Sequence, residues 1–186
     1  MSAQQQEPVL QQRAVFLDRD GVINRVILKD GKPFAPSSLE QLEILPGVDE
    51  ALQALQSAGF CLVVVTNQPD VARGVLSRAT VEAMHEYLKS KLPIAEFWTC
   101  FHDDQDDCQC RKPKCGALLD AALKHNINLA ESFMVGDRWR DIAAGHAAGC
   151  TTMFIDYGYH EVAPQTFDYC VASLFEASKI ILADER

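Results

Sequence analysis

The sequence predicts an α/β fold with a mainly parallel sheet, and two observations carry that prediction. Short apolar runs of strand length recur along the chain, and segments of helical spacing separate most of them. The strand-like runs span 14–18, 60–66, 97–101, 132–136, 151–155 and 169–172. Helical patterns span 48–58, 77–91, 116–125, 141–148 and 174–182. The first helix follows Pro46-Gly47 and stops at Gly59; the second is capped by Ser77 or Thr80 and stops before Pro93. Helices alternating with parallel strands cover both faces of the sheet. Segment 25–45 is long for a connection and holds the turn Lys29-Asp30-Gly31-Lys32-Pro33. Residues 26–28 and 33–35 on either side of it can form a small flap, either functional or an uncommitted surface loop.

The 186 residues fit one domain over 13–186, preceded by an extension over 1–12. That extension, MSAQQQEPVLQQ, lacks the basic start and apolar centre of a secretory signal and is read as frayed. Apolar runs such as Cys61-Leu62-Val63-Val64-Val65 are too short to span a bilayer, so a cytoplasmic location is expected. The net charge of -9, from 17 basic and 26 acidic residues, repels polyanions and weighs against nucleic acid or an anionic membrane as partner. Seven cysteines, an odd count without an export signal, argue against a disulfide framework.

The chemistry concentrates where strands end. In a parallel sheet, ligands bind beyond the carboxyl ends of the strands. The first run ends in Phe16-Leu17-Asp18-Arg19-Asp20-Gly21, a carboxylate pair at i, i+2. One carboxylate near Mg²⁺ can attack phosphorus while the second carries a proton to the leaving oxygen; alternatively both simply turn the chain. The second run ends in Thr66-Asn67-Gln68, offering a hydroxyl and amides, although Thr66 could equally cap the next segment. Arg111-Lys112-Pro113-Lys114 concentrates positive charge: Lys112 can neutralise phosphate and attacking carboxylate together, and Arg111 can fork onto phosphate or sugar oxygens. An ordinary basic surface loop is the alternative. Val135-Gly136-Asp137 places a further carboxylate at a strand end, with Asp141 four residues on. Asp18, Asp137 and a backbone carbonyl near Asp20 suffice to hold Mg²⁺, with Asp141 orienting that shell or capping its helix.

These segments, FLDRDGVIN, VVVTNQ, CRKPK and VGDRWRD, resemble the four motifs of the haloacid dehalogenase superfamily of phosphatases, over about residues 15–173. The resemblance implies a Rossmann-like three-layer sandwich, capless because the chain has no room for an inserted cap domain. It also implies Asp18 as nucleophile, Asp20 as acid/base, Thr66 and Lys112 as phosphate stabilisers, and Asp18, Asp20 and Asp137 around Mg²⁺.

Cys100, His102, Cys108 and Cys110 form a C-x-H…C-x-C set, three thiolates and an imidazole suited to a closed tetrahedral zinc site. The acidic run Asp103-Asp104-Gln105-Asp106-Asp107 between them could instead be merely solvated and the cysteines incidental. A zinc loop directly before Arg111-Lys112-Pro113 resembles the branch that contains D-glycero-D-manno-heptose 1,7-bisphosphate 7-phosphatases and histidinol-phosphatases. In that branch the zinc is structural and braces the arginine–lysine loop. Val71-Ala72-Arg73-Gly74 looks like the heptose type, whereas segment 25–45 and Pro69 depart from it. The expected partner is therefore a small phosphorylated metabolite, a sugar bisphosphate, acted on by a monomer. Asn67, Gln68, Arg73, Arg111 and Arg138 are the candidate substrate contacts. A histidinol-phosphatase, a polynucleotide end-phosphatase and a non-catalytic binding protein of the same fold remain the alternatives.

Overall fold

In the computed structural model, which describes residues 11–184, β1 (Ala14–Leu17) has every side chain buried and sits mid-sheet. A hairpin follows, β2 (Ile27–Lys29) and β3 (Lys32–Phe34), then α1 (Val48–Ser57), β4 (Cys61–Asn67) and α2 (Arg78–Lys91). The chain continues through β5 (Glu96–Cys100), α3 (Gly116–His125), β6 (Phe133–Gly136) and α4 (Trp139–Ala148). It ends with β7 (Thr151–Ile155), β8 (Tyr169–Val171) and α5 (Leu174–Ala183). Six strands form one sheet in the order β5-β4-β1-β6-β7-β8, every neighbouring pair parallel.

The period of two along the central strands divides the interior into two cores. Val15, Leu17, Leu62 and Val64 face one way, against α1, α2 and α5; Ala14, Phe16, Val63 and Val65 face the other, against α3 and α4. The result is the expected three-layer sandwich. In α1 the buried positions Val48, Ala51, Leu52 and Leu55 recur at helical spacing. Truncating a fully buried side chain such as Leu52 to alanine would cost about 2–5 kcal/mol.

The differences from the sequence reading have local causes. α4 starts at Trp139, two residues before the expected position, because Asp141 caps it from inside: its Oδ2 accepts the Arg138 backbone N–H at 3.0 Å. β1 ends at Leu17, yet the Asp18 N–H still donates to the Val135 carbonyl at 3.0 Å, so Asp18 leaves the sheet from a fixed point. The expected flap is the β2–β3 hairpin, with Lys29 paired across to Lys32. Of the N-terminal extension, residues 1–10 lie outside the described residues, whereas Gln12 bridges to Ile127. No described helix is long and apolar enough to cross a membrane.

Candidate active site

Because the strands are parallel, the ends of β1, β4 and β6 open onto one edge of the sheet, where the chain switches sides about β1. Asp18 there accepts a hydrogen bond from Lys112 Nζ at 2.8 Å, and the same ammonium reaches the Val65 carbonyl at 2.6 Å and Asp141 Oδ1 at 2.6 Å. Lys112 is only 1% exposed, so its charge is compensated almost wholly by these partners. Asn67 holds the lysine from behind: its amide donates to the Lys112 carbonyl at 2.9 Å, and its carbonyl accepts the Lys112 N–H at 3.1 Å.

Asp18, Asp137 and Asp141 converge so closely that one oxygen from each lies within 4.8 Å of the others. Neither carboxylate oxygen of Asp137 makes a hydrogen bond of normal geometry among the described residues, and only the buried Tyr159 hydroxyl faces it as a donor. A buried carboxylate so short of donors is costly, and a divalent cation among the three offsets that cost. Burial lifts Asp18 to about 6, with Lys112 opposing the shift and Asp141 and Asp20 adding to it. Burial, then Asp18 and Asp141, lift Asp137 well above the carboxylate range. Gly21 makes this approach possible. Its φ is +88°, and a Cβ there would fall 1.9 Å from Asp137 Oδ2.

Asp20 sits in a different environment. Arg19 forks onto it, its Nη2 lying 2.9 Å and 3.0 Å from the two oxygens, while Asn24 donates at 2.9 Å and Gln68 at 2.8 Å. Burial alone would raise its pKa, but Arg19 and these amides outweigh it and hold Asp20 ionised below the usual range. Arg19 is fully buried, and its other Nη lies 3.2 Å from His85 Nε2. Burial, then Arg19, push His85 down to about 3, so its imidazole is neutral and accepts that hydrogen bond.

The cysteine–histidine set is assembled next to this centre. Cys100 Sγ lies 3.6 Å from both Cys108 Sγ and His102 Nδ1; Cys110 Sγ lies 3.4 Å from His102 Nδ1 and 3.5 Å from Cys108 Sγ. Tetrahedral bonds of about 2.0–2.3 Å separate ligands by about 3.5–3.8 Å, so the four match a zinc-sized cation. The acidic run alongside is paired rather than simply solvated. Asp103 is bound by Arg73 and falls to about 2, Asp104 is bound by Arg111, and Asp107 by Lys114. This loop meets the same sheet edge twice, through Cys110 next to Arg111-Lys112 and through the Gln68 N–H on the Cys100 carbonyl at 2.7 Å.

A family model described as haloacid dehalogenase-like hydrolase matches residues 28–149. The chain belongs to this family. Among haloacid dehalogenase-like relatives, the D-glycero-β-D-manno-heptose-1,7-bisphosphate 7-phosphatase of Helicobacter pylori is 36% identical over 139 residues, 72% of this chain and 77% of that one. The enzyme of the same name from Escherichia coli K12 is 32% identical, covering 93% of this chain and 95% of its own. The crystal structure of D,D-heptose 1,7-bisphosphate phosphatase from Bordetella bronchiseptica, complexed with magnesium and phosphate, superposes with a TM-score of 0.79. It is 29% identical and covers 92% of this chain and 99% of that one.

In this haloacid dehalogenase-like site the carboxylates and Lys112 open into a crevice of about 580 Å³, which Asn67, Gln68, Arg73 and Arg138 also line. Thr66 is buried beneath it, its hydroxyl accepting from Gln68 at 2.9 Å. Arg111 does not line the crevice, because Asp104 and the His102 carbonyl hold it against the cysteine loop. The Asp20 side chain stands apart from the three-carboxylate group, facing Arg19 instead. Asp141 both caps α4 and binds Lys112. Sequence reasoning passed over Arg19, Glu161 and Tyr157. Only Arg19 carried a signal, a basic residue between two acids at a strand end. Glu161 forks onto Arg138, and the Tyr157 hydroxyl donates to the Gly21 carbonyl at 3.0 Å, both from a loop with no pattern of its own.

Proposed function

We propose that the protein is a Mg²⁺-dependent phosphatase acting on a sugar bisphosphate, D-glycero-D-manno-heptose 1,7-bisphosphate or a close analogue, through a phosphoryl group carried on Asp18. The observation that carries this reading is the pairing of a buried Asp18–Lys112–Asp141 cluster with a buried, donor-poor Asp137 at the sheet edge. The substrate comes from the relatives' names, at 32% and 36% identity.

The Lys112 ammonium at 2.8 Å favours the ionised form of Asp18 against the burial that raises it. The Asp18 carboxylate attacks phosphorus and the ester bond to the sugar oxygen breaks. Lys112 and the Thr66 hydroxyl offset charge on the transferring oxygens. The Asp18, Asp137 and Asp141 side chains and a carbonyl near Asp20 would hold Mg²⁺, which when bound supplies Lewis-acid charge next to the phosphoryl oxygens. Asp20 enters the cycle carrying a proton, gives it to the sugar oxygen as the ester bond breaks, and takes one back from the water that hydrolyses the acyl phosphate. The Arg19 fork, which favours the ionised form, makes it a ready donor. The cysteine–histidine set would hold a structural zinc that fixes the backbone of Lys112.

Phosphate release measured across heptose 1,7-bisphosphate, histidinol phosphate and end-phosphorylated oligonucleotides tests the reading. The highest kcat/KM is expected for the bisphosphate. A higher value for either of the other two would overturn it.

A further inference from the structure

The cations around the crevice divide into two groups. Arg73 is held by Asp103, Arg111 by Asp104 and Arg138 by a fork onto Glu161. A substrate anion would have to break those pairs to use them. Lys29, Lys32 and Arg140 line the same crevice and form no close ion pair among the described residues, although Arg140 faces Asp104 at longer range. Aromatic faces hold two of them instead. The Lys29 ammonium lies 5.2 Å from the Phe34 ring centroid, and the Arg140 guanidinium 4.8 Å from that of Trp139.

Lys29 and Lys32 are moreover direct cross-strand partners in the β2–β3 hairpin, on either side of the turn Asp30-Gly31. Like charges directly opposite one another destabilise a two-stranded ribbon. The hairpin is nevertheless pinned in place: the His160 N–H donates to the Gly31 carbonyl at 2.8 Å, and the His160 ring fills the space where a side chain on Gly31 would lie. An anion between the two lysines turns that repulsion into attraction.

We propose that Lys29, Lys32 and Arg140 form an anion subsite that takes the second phosphate of the substrate while the first sits at Asp18. The subsite rests on the bisphosphate reading above and sets the second phosphate apart from Arg73, Arg111 and Arg138, the candidate contacts that carboxylates already hold. It also makes local sense of a chain whose net charge of -9 repels phosphates at long range.

The test compares kcat/KM for a sugar bisphosphate with that for the matched monophosphate, in the unaltered protein and in the variants Lys29→Gln/Lys32→Gln, Arg140→Gln and Arg111→Gln. Both lysines are exposed, so their replacement leaves the fold intact. The bisphosphate-to-monophosphate ratio is expected to fall by about tenfold or more in the lysine variant, the scale of a lost charge-assisted hydrogen bond. Arg140→Gln lowers it too, and Arg111→Gln leaves it higher than either. A ratio near one in the unaltered protein overturns the bisphosphate reading itself. A high ratio that survives Lys29→Gln/Lys32→Gln overturns the subsite alone.

Discussion

Replacing Lys112 by methionine keeps the aliphatic stem and removes the charge. Three contacts vanish, at 2.8 Å to Asp18, 2.6 Å to Asp141 and 2.6 Å to the Val65 carbonyl. Breaking a buried ion pair by deleting one partner costs about 3–5 kcal/mol, because the remaining charge is uncompensated. The cost here falls at the lower end, about 3 kcal/mol, since Asp18 already sits at about 6 and can take up a proton near neutral pH once the lysine is gone. Urea unfolding without added metal measures this term. Activity should suffer separately. Losing one preorganised donor to transition-state charge typically lowers kcat by about 10²–10³-fold. Lys112→Arg is not expected to rescue, because a planar guanidinium does not reproduce the three short contacts that one ammonium makes to Asp18, Asp141 and the Val65 carbonyl. A folded Lys112→Met protein that kept its kcat within about threefold would refute the role given to this ammonium.

The remaining predictions concern the metals and the Asp20 support. Saturating Mg²⁺, at about 100 times its Kd, should stabilise the protein by about 2.7 kcal/mol, and Asp137→Asn should abolish that shift in a thermal melt. A shift of equal size in the variant would remove Asp137 from the site. Cys108→Ser should lose one bound zinc per chain, measured by elemental analysis, and raise hydrogen exchange over residues 100–112. Zinc-free purified parent protein would contradict the structural-metal reading. His85→Phe keeps the ring stacked on Phe97, now at 4.2 Å, but leaves the buried Arg19 without its acceptor. It should lower kcat/KM about tenfold for a sugar phosphate, whose leaving oxygen needs a proton, and less than about twofold for p-nitrophenyl phosphate, whose leaving group does not. Equal losses on both substrates would mean that His85 merely supports the fold, and His85→Gln, which restores an acceptor, should recover the sugar-phosphate rate.

What was legible in the sequence follows from how local each determinant is. The order of strands and helices reads directly from period and punctuation, as with Ser77, whose side chain accepts the Thr80 N–H at 3.0 Å. Asp18 and Asp137 were legible because chain direction alone places strand-end residues at one edge of a parallel sheet, and Lys112 because it stands in a concentrated run of positive charge. The cysteine–histidine set was legible from spacing. Long-range pairing was not. Glu161 is 23 residues from the Arg138 it neutralises, and even the acidic run close before Arg111 does not by itself show which of its carboxylates, Asp104, holds that arginine. Sequence reading thus named Arg73 and Arg138, which line the crevice, and Arg111, which does not, without showing that carboxylates hold all three. The start of α4 was misplaced for a related reason, since Asp141 was read as the first residue of the helix but lies inside its first turn and caps it from there.

The most direct test of the account is whether Asp18 carries the phosphoryl group during turnover. Rapid acid quench during hydrolysis of the sugar bisphosphate, followed by peptide mass spectrometry, should find one phosphoryl group on the peptide containing Asp18, absent in Asp18→Asn. Phosphate released at the normal rate with no phosphorylated protein, or with the group on any other residue, would contradict it.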